Sequence, residues 1–430
     1  MRTGMLQDDA NGQGGLGLAF AVIILVALVL RALCALALGE ITPGVADDWE
    51  YGEIAQNFVR NGEMARAYYF PDGEKLRYPS TFMPPGHVFL WIGLFWIFDV
   101  TPEAYAAMLV INVACSVGIV AMTGLLARRI FQDRLVGLLA AGLVAVYPTF
   151  IYSVATYHAI QVYVLLFLAG LHLMLALIET RSGRSAVLLG IAGGVATLWR
   201  SEYMVLFAAL ILYGFWRHRS IRLFALAVGC AALVVLPWTA RNYVVHERFI
   251  PIANSSGWNA WKGFNPEMQG SGNAIEASDY RIEIEREVVA TLPRDDTFET
   301  AMQDAFMERA GAFIAAEPVR AFVELPAQKL ALFWVLDWQD PEVTLHPVYV
   351  AAFVPTFVLS IGGIVLVLRR RPVPHGAQAM LWVFVAQSVV VSGYAVHARY
   401  RMNVEPFLFM FAAVAGAALI RHWLARRAQG

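Results

Sequence analysis

Long apolar runs, separated by short polar or basic segments, make up most of the chain. A helix needs about 20 apolar residues to cross the ~30 Å hydrocarbon core of a bilayer. A further short run, at 84–99, begins with Pro84-Pro85-Gly86, and we interpret it as lying in the outer interface. The pattern predicts an all-α polytopic membrane protein with about ten transmembrane helices. The predicted spans lie at about residues 16–38, 103–127, 135–152, 157–178, 185–199, 203–216, 221–239, 347–368, 377–396 and 404–420.

The first run also has some features of a cleaved signal peptide. Ala35 and Ala37 offer a small-residue cleavage pattern before Gly39. However, the leader carries only Arg2 against two acidic residues, which is a poor basic region for a signal peptide. We interpret the run as an uncleaved first helix because the later apolar runs also read as membrane elements.

Basic residues cluster in alternate loops, and such clusters mark the cytoplasmic side of a membrane protein. If the first helix runs outward, only an odd number of crossings can join residues 40–83 to the first basic cluster. For this reason the 84–99 run is assigned to the interface. The clusters and both termini then lie inside, and residues 40–102 and 241–346 lie outside. The clusters are Arg128-Arg129 with Arg134, Arg181 with Arg184, Arg217-His218-Arg219 with Arg222, Arg369-Arg370-Arg371, and Arg421 with Arg426-Arg427.

This topology divides the chain into three parts. Residues 1–240 form a predicted seven-helix module that includes the outer loop 40–102. Residues 241–346 form an outer region that is too short and too charged for an ordinary catalytic domain, so we expect it to cap the membrane part. Residues 347–430 supply three C-terminal transmembrane helices.

The amino-acid composition agrees with a membrane protein and argues against some classes of function. The chain is 59% hydrophobic and 15% charged, whereas soluble domains are about 25% charged. Its net charge of −1 gives no electrostatic basis for binding nucleic acid. Cys34, Cys115 and Cys230 all lie inside apolar runs, which argues against disulfides and against a cysteine metal site.

An acidic pair opens the first outer loop. Asp47 and Asp48 precede Tyr51, Ile54 and Phe58, whose spacing forms one apolar stripe of a helix. We expect this helix to lie in the membrane interface with Asp47 at its start, where the helix dipole favours an anion. The alternative is that one of the two acids only caps the helix.

Arginines collect on the same predicted side of the membrane. Arg200 and Glu202 lie between two short apolar runs, and Arg241 follows Pro237-Trp238 at the end of the seventh span. Arginine suits phosphate because its fork of donors binds two oxygens together. A further group before the last span contains His397, Arg399, Tyr400 and Arg401. Ordinary interfacial anchoring explains any one of these four arginines, but it does not explain four of them beside an acidic pair.

At this point the chain resembles the GT-C-fold glycosyltransferases that use polyprenyl-phosphate sugars, similar to protein O-mannosyltransferases and lipid A aminoarabinose transferases. Each shared motif is weak alone, but their order and spacing cover about the whole chain. The motifs are Asp47-Asp48-x-x-Tyr51-x-x-x-Ala55, Met83-Pro84-Pro85-Gly86-His87, Pro237-Trp238-Thr239-Ala240-Arg241-Asn242-Tyr243, Gly263-Phe264-Asn265-Pro266, and Arg399-Tyr400-Arg401-x-x-x-x-Pro406.

The resemblance implies an inverting transfer of sugar from a polyprenyl-phosphate donor to an acceptor glycan, lipid or protein. Asp47 is then the general base, and Asp48 is its neighbour at the catalytic site. An arginine stabilises the departing lipid phosphate; the expected phosphate ligands are Arg200, Arg241, Arg399 and Arg401. The expected supporting residues are Tyr51, His87, His158, Glu202, Lys262 and Tyr400.

One feature departs from the family pattern. Many relatives carry an acidic residue after the third span, but this chain has Thr156, Tyr157, His158 and Gln161 there. The departure puts a second carboxylate or a metal-assisted scheme in doubt, so no metal ligand is assigned and a divalent cation stays an open alternative. His158 is either a functional replacement or a histidine hydrogen-bonded at a helix end.

Two other classes of function stay open. A transporter or flippase for a lipid-linked saccharide would explain the spans and the outer arginines, although coupled transporters usually place ionisable groups near the midplane. A ligase that moves a whole polymer is the nearer alternative. The composition is compatible with a bacterial inner membrane, with the active site facing the periplasm.

Overall fold

Helices form nearly all of the regular structure. The computed structural model describes residues 2–46, 48–339 and 345–429, and for residues 2–16 and 398 it describes the backbone only. A two-stranded hairpin, β1 (Ala65–Tyr69) and β2 (Lys75–Pro79), is antiparallel. In chain order the α-helices are α1 (Arg2–Leu38), α2 (Trp49–Asn61), α3 (Pro85–Phe98), α4 (Pro102–Phe131), α5 (Arg134–Val146), α6 (Pro148–Tyr152), α7 (Ile160–Thr180), α8 (Gly183–Trp199), α9 (Tyr203–His218), α10 (Ile221–His246), α11 (Ser256–Gly263), α12 (Gly272–Glu276), α13 (Asp279–Thr291), α14 (Phe298–Ala316), α15 (Leu325–Trp334), α16 (Pro347–Leu368), α17 (His375–Ser392) and α18 (Glu405–Arg427).

Within the described residues, seven helices are long and apolar enough to cross a bilayer: α1 from Gly17 onward, α4, α7, α10, α16, α17 and α18. The region of α5 and α6 is a further candidate, bent by 58° at the break between them. The prediction of an all-α polytopic membrane protein is confirmed. The apolar helices α8 and α9 have only 17 and 16 residues, so their crossing stays a prediction, as do the three predicted parts of the chain.

The basic clusters of different helices meet at one end of the bundle. Arg217 donates to His375 Nδ1 at 3.1 Å, and Arg421 pairs with Asp133 at 2.6 Å. These contacts bring the ends of α9 and α18 to the starts of α17 and α5. The hairpin, α2 and α11 to α15 follow the opposite ends of their neighbouring spans. We call that opposite end the outer end, in keeping with the predicted topology.

Arg31 is completely buried inside the bundle, on α1. Its guanidinium donates to the carbonyl oxygens of Val144 and Ala145, both at 2.9 Å, and to Ser116 Oγ at 2.6 Å. Four residues after Val144 stands Pro148, which has no N–H to donate to that carbonyl. Arg31 therefore adds donors for backbone carbonyls at the break between α5 and α6, where Val144 O otherwise accepts a long 3.4 Å bond from Tyr147 N.

The hairpin is fixed to α14 by one buried carboxylate. Glu299 is fully buried and accepts hydrogen bonds from Ser80 Oγ at 2.5 Å, from Thr81 N at 2.8 Å and from Tyr68 Oη at 3.2 Å. The ring of Phe298 stacks nearby on Tyr78, with ring centres 4.6 Å apart. The first outer loop and the second outer region are therefore packed as one cap. The sequence patterns predicted no strands here.

The predicted topology can be tested with two matched cysteines. Ala290 on α13 and Ala425 on α18 are both exposed, and each is replaced by cysteine in a chain whose three native cysteines are serine. In intact cells a membrane-impermeant maleimide should label Ala290→Cys and not Ala425→Cys, because the basic end faces the cytoplasm. Permeabilised cells should label both. The reverse pattern in intact cells would refute the topology.

Removing Arg31 should destabilise the bundle. In Arg31→Met two buried carbonyls lose their arginine donor, and a carbonyl left unsatisfied costs about 1–3 kcal/mol, so the thermal unfolding midpoint in detergent should fall. Arg222→Met, which changes an exposed arginine at the basic end, should leave it unchanged. Pro148→Ala restores an N–H, so the double variant should lose less than the sum of the single losses. Equal midpoints for Arg31→Met and Arg222→Met would contradict this role.

Candidate active site

A cavity of about 290 Å³ opens at the outer end of the bundle, and we call it the outer cavity. The start of α2, the turn between α8 and α9, helix α11 and the segment before α18 all contribute to its wall. These segments are far apart in the chain and converge because the cap lies over the spans. Its polar and aromatic lining includes Trp49, Glu50, Tyr51, His158, Arg200, Ser201, Glu202, Ser255, Ser256, Trp258, Asn259, Lys262, Glu276, Gln387, Tyr394, Arg399 and Tyr400.

Arg200 is held in the wall by a carboxylate and two rings. Its Nε lies 2.7 Å from Glu202 Oε1, and its guanidinium lies over the rings of Tyr163 and Tyr400, 5.5 and 5.3 Å from their centres. Burial alone would lower the pKa of Arg200, but Glu202 and the surrounding tyrosines raise it on balance. The guanidinium therefore stays charged in a fixed position at the cavity.

Arg399 faces the same cavity without a carboxylate partner among the described residues. Its guanidinium packs over the rings of Trp49 and Tyr400, 5.1 and 5.6 Å from their centres. Ring faces attract a cation but do not neutralise it. Arg399 is therefore a positioned cation that an anionic ligand in the cavity can pair with.

His158 lies beside these cations as a neutral group. Its ring is 4.2 Å from that of Trp49. Burial, followed by the charges of Arg399 and Arg200, lowers the pKa of His158 to about 3. The imidazole can therefore donate or accept a hydrogen bond in the cavity at neutral pH without adding charge.

Tyr51 on α2 is backed by His87 on α3. Burial raises the pKa of Tyr51 to about 12, so its hydroxyl stays protonated at the cavity wall. The ring of His87 packs edge-on against it, with centres 4.9 Å apart, and His87 Nε2 lies 2.9 Å from the carbonyl oxygen of Tyr157. His87 is fully buried and supports Tyr51 from behind.

Of the acidic pair, Asp47 lies outside the described residues. Asp48 stands at the N-cap position of α2, but its side chain makes no capping hydrogen bond within the described structure. Its carboxylate instead accepts from Tyr105 Oη at 2.8 Å and from Gln56 Nε2 at 3.2 Å. The interactions of Asp48 thus fasten α2 to α4, while the next three residues line the cavity.

A network centred on Glu276, which the sequence analysis did not anticipate, forms another part of the cavity wall. Lys262 Nζ lies 2.7 Å from Glu276 Oε1, and the same oxygen lies 3.3 Å from His397 Nε2. Burial would raise the pKa of Glu276, but His397 and Lys262 lower it on balance, so it is a carboxylate. Only the tertiary fold brings residue 276 to this place, so neither sequence motif nor spacing could indicate it.

Two of the expected phosphate ligands lie elsewhere. Arg401 is buried and donates to the carbonyl oxygens of Phe333 and Val335 while pairing with Glu405. Arg241 lies within α10, which continues past the predicted end of the seventh span, and donates to the carbonyl oxygen of Ser80 at 3.2 Å. Neither lines the outer cavity. Both arginines hold backbone segments together, and only Arg200 and Arg399 are brought together.

A wider cavity of about 670 Å³ adjoins the outer cavity. The two share Trp49, Glu50, Phe82, Trp258 and Glu276 in their walls. The far wall of the wider cavity is formed by the hairpin and by α13. Its additional charged residues are Arg66, Arg281, Glu285 and Arg286.

The described residues contain no group of three or more histidine, cysteine, aspartate or glutamate side chains placed to hold a metal ion. In the described lining of the outer cavity, the carboxylates of Glu50, Glu202 and Glu276 are each paired with an arginine or a lysine.

Acid should destabilise the protein through His158. As the pH falls from about 6.5 towards 3, the unfolded chain takes up a proton that the folded chain does not, so stability falls over this window. The unfolding midpoint of the unchanged protein should drop more steeply between about pH 6.5 and 4.5 than that of His158→Gln. His422→Gln, at an exposed position on α18, should follow the unchanged protein. Parallel curves for all three would contradict the assignment.

Comparison with known proteins gives the fold and not a family. No protein-family profile matches the chain, and a sequence search of curated proteins finds no match. Among solved structures, the chain is similar to the oligosaccharyltransferase AglB from Archaeoglobus fulgidus in complex with an inhibitory peptide and a dolichol-phosphate. The TM-score is 0.59 at 17% identity, over 97% of this chain and 52% of AglB. The chain thus spans about half the length of that protein.

Two further structures give similar findings. An oligosaccharyltransferase from Archaeoglobus fulgidus in complex with zinc and sulfate matches with a TM-score of 0.56 at 17% identity, over 95% of this chain and 50% of that one. ArnT from Cupriavidus metallidurans, bound to undecaprenyl phosphate, gives a TM-score of 0.40 at 17% identity over 94% and 78% of the two chains, which is too low to support an argument. The likeness to AglB extends over nearly the whole chain, and it confirms the predicted GT-C fold.

Proposed function

We propose that this protein is a membrane glycosyltransferase that moves a sugar from a polyprenyl-phosphate donor to an acceptor at the outer face of the membrane. The observation that carries the proposal is the outer cavity, where Arg399 and Arg200 meet in a chain with the GT-C fold. AglB, which shares the fold, has been solved with a dolichol-phosphate. That ligand supports a lipid phosphate as the donor class here. A bacterial inner membrane with the cavity facing the periplasm is part of the proposal.

The donor phosphate binds between the two cavity arginines. Arg200 is already paired with Glu202, so it supplies a fixed donor rather than a full counter-charge. Arg399 has only ring faces beside it in the described structure, and the phosphate becomes its partner. As the sugar leaves, negative charge grows on the phosphate oxygen, and a cation held in place stabilises that charge.

The transfer is a single displacement. An acceptor hydroxyl or amine attacks the anomeric carbon, the bond from that carbon to the phosphate oxygen breaks, and the electron pair stays on the phosphate. Asp47 takes the proton from the acceptor; this role rests on the motif Asp47-Asp48-x-x-Tyr51 and its resemblance. One displacement inverts the anomeric centre, unlike the two-step route through a covalent intermediate. His158 and Tyr51 offer neutral hydrogen bonds to the sugar.

The acceptor reaches the sugar through the wider adjoining cavity. Its walls combine the aromatic faces of Trp49, Tyr69 and Trp258 with the side chains of Arg281 and Glu285. Its volume of about 670 Å³ exceeds that of the outer cavity. An acceptor that is itself a saccharide, a lipid head group or a peptide segment meets aromatic and charged groups there.

Transport and polymer ligation are the rival functions. Within the membrane part, the buried Arg31 donates to backbone carbonyls and a serine hydroxyl, which argues against its being a binding group on a transport path. AglB is an oligosaccharyltransferase, so a multi-sugar donor stays a second candidate. Parallel assays with donors that carry one sugar and donors that carry several distinguish transfer of a single sugar from transfer of an oligosaccharide.

Binding and turnover can be measured separately in detergent. The binding probe is a radiolabelled polyprenyl monophosphate, and turnover is followed with monosaccharide and oligosaccharide derivatives of polyprenyl phosphate and membrane extract as acceptor. Arg399→Ala should weaken binding by about 10–100-fold, the usual loss for a charged hydrogen-bonding pair, and Arg399→Lys should recover only part of it. Arg309→Ala, at a half-buried position on α14 that lines neither cavity, is the matched control and should bind normally.

Asp47→Asn should separate the two measurements. Loss of a positioned base lowers turnover by about 10²–10⁴-fold while the probe still binds, and Asp48→Asn should be milder. Unchanged turnover in Asp47→Asn would reject the base. Failure of the unchanged protein to bind the probe, or equal binding by Arg399→Ala, would reject the donor site.

A further inference from the structure

A separate cavity of about 250 Å³ lies at the basic end, between α1, α4 and α5. Its walls are apolar, with Phe20, Leu125 and Leu138, and its rim carries Arg128 and Arg134. Leu125 is 49% exposed, so the cavity opens sideways to the lipid around the bundle. We call it the basic-end groove. Its other lining residues are Gly17, Gly124 and Gly137.

Two of the glycines let α4 and α5 approach closely beside the groove. A Cβ on Gly124 would lie 3.0 Å from the carbonyl oxygen of Gly137, and one on Gly137 would lie 2.9 Å from that of Gly124. Gly17 differs, because a Cβ there would meet nothing within 4 Å. The space beside Gly17 is therefore open rather than filled by packing.

The two rim arginines have no carboxylate partner within the described chain, although acids are near. Asp133 precedes Arg134, but its oxygens accept from Leu135 N and Val136 N and pair with Arg421. Arg129, next to Arg128, pairs with Glu179 at 2.7 Å. The nearby acids are thus committed elsewhere, and two exposed cations remain over an apolar groove.

We propose that the basic-end groove binds an anionic phospholipid of the surrounding leaflet. The phosphate lies between Arg128 and Arg134, and an acyl chain lies against Phe20, Leu125 and Leu138. Basic pockets between transmembrane helices recognise anionic head groups in this way. A zwitterionic lipid binds less well because its own cation faces the two arginines. The site is independent of the outer cavity and of the proposed transfer reaction.

The charge requirement is tested by native mass spectrometry of the full chain in detergent. Phosphatidylglycerol and phosphatidylcholine with the same acyl chains are the probes. Arg128→Gln with Arg134→Gln should weaken phosphatidylglycerol binding by about 30-fold, or about fivefold for each arginine, and should hardly change phosphatidylcholine binding. Arg369→Gln with Arg370→Gln, at exposed positions on the same end, is the control and should retain binding.

The groove itself is tested without changing charge. Gly17→Phe should fill the open space and weaken phosphatidylglycerol binding, whereas Gly142→Phe, also at a glycine with nothing near its Cβ, should not. Excess glycerol 3-phosphate distinguishes a soluble phosphate site, because it should fail to compete. Equal binding of the two lipids, equal loss in the control arginine pair, or full competition by glycerol 3-phosphate would each overturn the proposal.

Discussion

The cost of leaving a polar group unpaired in hydrocarbon governs where charge is found in this protein. Inside the bundle, Arg31 is retained with its donors directed at backbone carbonyls and a hydroxyl. Several cations that line cavities have no carboxylate partner in the described structure, among them Arg399 and the pair on the basic-end groove. They lie at the two ends, where water or a lipid phosphate can reach them. Because a charge inside the bundle must be paired, an arginine that lines a cavity without a carboxylate partner indicates a site for an anionic ligand.

The outer cavity depends on the same constraint. Its cations are held by rings as much as by acids: Trp49 and Tyr400 flank Arg399, and Tyr400 also faces Arg200. Rings fix a guanidinium in place and leave its charge available. Around them the cap is fastened by Glu299, whose carboxylate joins the hairpin to α14. The cap therefore fixes the positions of the cavity side chains, and the rings leave the charge of the arginines available to a ligand.

The fold was predictable because each predicted span is a local pattern in the sequence, an apolar run with basic residues near one end. The site was predictable only in part. Arg399 and Arg401 look equivalent in sequence, but the 3₁₀ turn at Ala398–Asn403 sends residues two apart in different directions, so one faces the cavity and the other is buried against Glu405. Glu276, Glu299 and the hairpin were missed because their partners are distant in the chain. Trp49 could have been expected at the site, since it directly follows the acidic pair.

The short helices α8 and α9, with 17 and 16 residues, have a consequence for the bilayer itself. At 1.5 Å per residue they reach only about 24–26 Å, against a hydrocarbon thickness of ~30 Å. If α8 and α9 cross the bilayer as predicted, such mismatch is relieved by thinning of the adjacent lipid. The turn that joins these helices carries Arg200, so the membrane surface should dip beside the outer cavity. Under the proposed function, a lipid-linked donor would then arrive at the depth of the arginines while its chain stays in the leaflet, and bilayer thickness would help to determine how readily the cavity is loaded.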